Sequence, residues 1–96
     1  MDEKILTKHP LGKKGVSISK AKYDQVKSTL IECLRSKHLT HLELTKCANQ
    51  KLKGKFEGSI NWYTETVKLD LEARNIIKRN KKTKPQRYKL HSKVTS

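Results

Sequence analysis

The run Asn75-Ile-Ile-Lys-Arg-Asn-Lys-Lys-Thr-Lys-Pro-Gln-Arg-Tyr-Lys-Leu90 contains no acidic residue. Its chemistry is electrostatic. Ammonium and guanidinium groups at this density displace counterions from a polyanion. Residues 76–96 carry eight basic side chains and no acid, so they supply +8 of the net +14 of the chain. Nucleic acid is the natural partner for such a field, with an anionic membrane surface next in order.

Other groupings offer less. Cys33, His38, His41 and Cys47 invite a zinc reading, but Cys-x4-His-x2-His-x5-Cys is not the spacing of a common finger. Both cysteines also fall on apolar helical stripes, where a thiol packs as a small hydrophobe, so no metal is expected. Gly12 and Gly15 flank Lys13-Lys14, yet no strand precedes them and no Walker pattern is present. The histidines are scattered and no carboxylate pair sits in an apolar setting that would tune it. A basic chain of 96 residues leaves little room for a substrate pocket, so neither an enzyme nor a cofactor is expected.

The elements that must position the basic run are legible from periodicity and caps. A first helix is expected over Lys20–Arg35. Ser19 is its N-cap, Ile18 and Tyr23 form a hydrophobic staple, and Tyr23, Val26, Leu30, Cys33 and Leu34 form one stripe. Thr40-His-Leu-Glu43 fits a capping box for a second helix, with Leu39 and Leu44 as staple and Leu44, Cys47, Ala48 and Leu52 facing inward. Gly54 is its expected stop. After a short turn with Phe56 as plug, Ser59 caps a third helix with Ile60, Tyr63, Val67 and Leu71 on one side. Asn75 tolerates the left-handed conformation that ends helices. "IIKR" and "RYKL" then read as two strands of a hairpin around a polar loop.

These elements make one small domain, mainly α with a small β-hairpin, in the α+β class. Residues 1–17 read as a flexible basic arm, 18–91 as the domain and 92–96 as a frayed end. The start "MDEKILTKHP" has no apolar core and no run is long enough to span a bilayer. With two cysteines and no visible secretory signal, the expectation is cytoplasmic, without a membrane role.

The stretch "LTHLELTKCANQKLKGKFEGSINWYTETVKLDLEARNIIKR" and the following "KPQRYKL" resemble the winged helix-turn-helix superfamily. "KHPLGKKGVSISKAKYD" followed by "GSINWYTETVKLDLEAR" resembles a small uncharacterised bacterial winged-helix family, and the likeness covers residues 9–90. The resemblance implies three helices plus a C-terminal wing, the third helix entering the major groove of DNA and the wing lying along the backbone.

The expected wing contacts are Arg79, Lys81, Lys82, Lys84, Gln86 and Arg87. Lys51, Lys53 and Lys55 stand before the third helix, beside an N-terminus that favours anions. Ser59, Asn61, Trp62 and Glu65 are its exposed positions, Asn suiting adenine and Glu cytosine. Against base reading, residues 59–74 hold Lys68 and Arg74 against Glu65, Asp70 and Glu72, a net −1. The expectation is therefore a double-stranded DNA binder, a regulator or accessory factor. The alternative is a protein-interaction module anchored on Trp62, or an RNA binder, with the wing only solvated charge. A homodimer fits the alternative as well.

Overall fold

The cap residues start all three helices. In the computed structural model, which describes residues 3–35 and 37–91, α1 spans Lys20–Leu34, α2 His41–Leu52 and α3 Ile60–Ala73. Ser19 Oγ accepts the Lys22 N–H at 3.4 Å and Ser59 Oγ the Trp62 N–H at 3.2 Å. At α2 the capping box closes in both directions: Thr40 Oγ1 accepts from Glu43 N–H at 3.1 Å, and Glu43 Oε1 from Thr40 N–H at 2.9 Å. That hydrogen bond holds the Glu43 carboxyl below its ordinary range.

α3 ends as its sequence suggests. Asn75 takes φ 63°, the Ile76 N–H reaches the Leu71 carbonyl at 2.8 Å, and the Asn75 N–H reaches Glu72 at 3.1 Å. This left-handed stop turns the chain directly into β4 (Ile77–Asn80), which pairs antiparallel with β5 (Arg87–Leu90). Ile77 and Leu90 are opposite one another and buried, whereas Lys78 and Lys89 are opposite and exposed. A short strand before α2, Leu39–Thr40, adds to the other edge of the hairpin. Numbered β3, it gives the sheet order β3-β5-β4.

The three helices enclose one core. Val26, Leu30 and Leu34 of α1 meet Leu44 and Ala48 of α2, Val67 and Leu71 of α3, and Ile77 and Tyr88 of the sheet. The described residues form an α+β domain with three helices and small antiparallel sheets.

Two expectations are corrected. Residues 1–17, read as a flexible arm, contain β1 (Lys4–Leu6), which pairs with β2 (Ser17–Ser19) and brings Ile5 against the core. The physical reason lies in the loop between them. The Thr7 N–H donates to the Val16 carbonyl at 2.8 Å and the Val16 N–H to Thr7 Oγ1 at 3.0 Å. Gly15 makes this approach sterically feasible, because a Cβ there would lie 1.7 Å from the Thr7 carbonyl oxygen.

The second correction concerns Cys33 and Cys47, read as separate thiols. They lie on facing stripes of α1 and α2, and packing brings their Cα atoms to 6.1 Å, where a disulfide joins them. The expected frayed end, 92–96, lies outside the described residues.

Candidate nucleic-acid interface

The outer face of α3 is a narrow strip between two flanks. Asn61, Glu65, Lys68 and Glu72 lie toward α2 and the sheet, whereas Trp62, Thr66, Leu69 and Ala73 lie toward the β1–β2 loop.

The sheet flank is densely paired. Lys68, only 3% exposed, donates to His41 Nδ1 at 2.9 Å, to the Tyr88 hydroxyl at 3.3 Å and to Glu65 at 3.4 Å. His41 Nε2 faces Glu65 at 3.3 Å. One neutral imidazole satisfies both contacts, accepting from Lys68 on Nδ1 and donating to Glu65 from Nε2. Burial, then the Lys68 charge, lowers the His41 pKa, in keeping with that neutral form.

Asn61 Oδ1 accepts from Asn49 Nδ2 at 2.9 Å, and Ser59 is occupied as the cap. Two of the expected base readers, Asn61 and Glu65, are thus engaged within the chain. The reason is packing: α2 lies close enough to satisfy their polar groups before any ligand arrives. Trp62 is different. It is 46% exposed, with the Tyr63 ring edge-on at 4.9 Å.

The net −1 of residues 59–74 is misleading for the same reason. Asp70 is fully buried and pairs with Arg74 at 2.9 Å, Glu72 pairs with Arg79 at 3.0 Å, and Glu65 meets His41 and Lys68. Each carboxylate of α3 has a cation at hand, so the outward field is set by lysines elsewhere.

In the hairpin the six expected wing residues separate into two groups. Arg79, Gln86 and Arg87 are structural ties. Arg79 bridges Glu72 and Gln86 and lies over the Tyr88 ring at 5.2 Å. Arg87 reaches Glu43 at 3.3 Å and the His38 carbonyl at 3.2 Å. Lys81, Lys82 and Lys84 are exposed at the tip. The sequence reading missed Lys78 and Lys89, which stand opposite each other on the outer face. The period-two alternation of Ile77-Lys78-Arg79 and Tyr88-Lys89-Leu90 carried that signal. Among the described residues no carboxylate pairs with these five lysines.

The turn before α3 divides likewise. Lys51 pairs with Glu32 on α1 at 2.8 Å, an ion pair that lowers the Glu32 pKa, whereas Lys53 and Lys55 are exposed.

On the other flank, a cleft of about 180 Å³ opens between the β1–β2 loop and α3, lined by Thr7, Lys8, His9, Lys14, Gly15, Val16, Trp62, Thr66 and Leu69. Lys13 lies beside a neighbouring depression that ends at Ala73. Lys13 and Lys14 are exposed.

Among the described residues no group of three or more His, Cys, Asp or Glu is arranged to hold a metal ion. No helix among them is long and apolar enough to cross a membrane.

Fold and surface together define a small basic α+β domain with a lysine-faced hairpin. The chain belongs to a family of unknown function (DUF6958), whose model matches residues 4–88 and so takes in the first strand as well as the hairpin. No curated protein and no solved structure gives a significant match.

Proposed function

We propose that this protein is a winged-helix domain that binds double-stranded DNA, mainly through the phosphate backbone. The observation that carries the reading is the hairpin: Lys78, Lys81, Lys82, Lys84 and Lys89 are exposed, with no carboxylate partner among the described residues. Two like charges directly opposite in a sheet repel, and an anion lying across Lys78 and Lys89 relieves that repulsion. The helical order and the left-handed stop at Asn75 leading into the hairpin support the winged-helix reading. Because Asn61 and Glu65 are engaged internally, sequence preference is weak and affinity is strongly salt-dependent.

The test is fluorescence anisotropy with random duplex DNA, single-stranded DNA and duplex RNA at several salt concentrations. Wild type should prefer duplex DNA. Replacing Lys81, Lys82 and Lys84 by Ala should reduce the slope of log K against log salt by up to about 0.9 per lost phosphate contact. An unchanged slope would remove the wing from the interface.

A second reading has one observation in its favour. Trp62 is 46% exposed, and Val16 and Leu69 line the same cleft, as an aromatic anchor for a protein partner would require. Weak binding to every nucleic acid at moderate salt would favour it.

A further inference from the structure

We infer that the β1–β2 loop is a second phosphate-binding element, which grips the DNA strand opposite the one held by the hairpin; the inference rests on the DNA-binding reading above. Among the described residues, lysines without carboxylate partners occur on both flanks of α3. The hairpin carries one set. The loop carries the other, with Lys14 in the cleft beside Trp62 and Lys13 beside Ala73. A helix seated in a groove has one phosphate row on each side of it, so cations on both flanks meet both strands.

Both ends of the loop are tied to the domain. The Lys8 N–H is bonded to the buried Asp70 carboxylate of α3, and Gly15 lets the loop close on Thr7. The lysines therefore sit on a loop closed at both ends rather than on a free arm, which lowers the ordering cost of binding. Trp62 sits between the loop and the exposed strip of α3, where its indole packs against a deoxyribose or base edge. Protein docking on the same cleft is the competing occupant. The rim of Lys8 and Lys14 favours an anionic one, and the matching lysines across the helix extend that preference beyond the cleft itself.

The chain has a single tryptophan, so its emission reports on this cleft alone. Full-length protein is titrated with random duplex DNA while anisotropy and Trp62 emission are followed together. The variants are Lys13→Ala/Lys14→Ala, the Lys81/Lys82/Lys84 triple Ala variant, and the two combined. The expected result is a change in Trp62 emission along the anisotropy curve. The loop variant should lower the salt slope by about 1–2, and the combined variant should add the two losses. Duplex binding with silent Trp62 emission and a wild-type slope in the loop variant overturns the inference and leaves the hairpin reading intact. Poly-glutamate that shifts Trp62 as strongly as DNA at equal charge also overturns it, in favour of an acidic protein partner. Loss of all salt-dependent duplex affinity in wild type defeats both readings.

Discussion

The fully buried carboxylate of Asp70 accepts the backbone N–H of Lys8 at 2.8 Å, across 62 positions of sequence. The same carboxylate takes the Tyr23 hydroxyl and the Arg74 guanidinium. One side chain thus ties α3 to α1 and to the N-terminal strands. Burial and this hydrogen bond push the Tyr23 hydroxyl pKa well above its ordinary value, and Asp70 raises that of Arg74. Asp70→Ala leaves Arg74 and two donors without their acceptor. We expect a loss of roughly 3 kcal/mol, at the low end for a broken buried pair because Arg74 is partly exposed. Tyr23→Phe should cost only about 1 kcal/mol. Urea melts of both variants check the ranking, and equal losses would remove Asp70 as the hub.

The disulfide gives a second expectation. Closing a separation of 14 residues between Cys33 and Cys47 stabilises the fold by about 3 kcal/mol, chiefly by restricting the unfolded chain. Thermal melts with and without reductant, beside a Cys33→Ser/Cys47→Ser variant, should show a lower Tm in both reduced and variant protein. Thiol titration of the native, unreduced protein should find none free. Free thiols there would mean the sulfurs are unbonded in solution.

Lys78 and Lys89 separate stability from function. Replacing both by Thr removes a cross-strand repulsion and should raise stability by a few tenths of a kcal/mol up to about 1 kcal/mol. The same variant should weaken duplex binding and flatten its salt dependence. Opposite signs in melting and anisotropy are the expected signature. A melt that falls together with the affinity would assign the two lysines a structural role.

His41 sets the pH response. Its pKa is lowered in the fold, first by burial and then by Lys68, so the unfolded chain takes up a proton more readily. The stabilising contribution is therefore complete above the ordinary histidine value of 6.5 and is lost as pH falls through the folded value. Glu43, also lowered, acts in the same direction below the ordinary glutamate value of 4.5. Melting temperature should decline in two stages on acidification, and His41→Asn should abolish the first. A His41 resonance that titrates above 6.5 by NMR would contradict this.

The helices were legible from the sequence because their signals are local. Ser19, Thr40 and Ser59 each cap an amide three residues on, and the stripes headed by Tyr23, Leu44 and Ile60 needed only a period of about 3.6. The hairpin strands and the stop at Asn75 were read on the same basis. The candidate site was legible only in part. Lys81, Lys82 and Lys84 stand exposed as expected, but Arg87 and Lys51 are held by Glu43 and Glu32, distant in sequence, and Arg79 by Glu72 across the stop of α3, where the chain changes direction and no periodicity joins them.

Charge, helix boundaries and the apolar faces were thus determined by the sequence itself, since they depend on residues within a turn or two of each other. Tertiary packing decided the rest. It paired β1 with β2, laid β3 on β5, joined Cys33 to Cys47, buried Lys68 beside His41 and turned Asp70 into a hub. Each of those outcomes depends on which elements approach one another. A side chain's charge is fixed by its chemistry, but whether it is spent on a neighbour or left facing solvent depends on that approach.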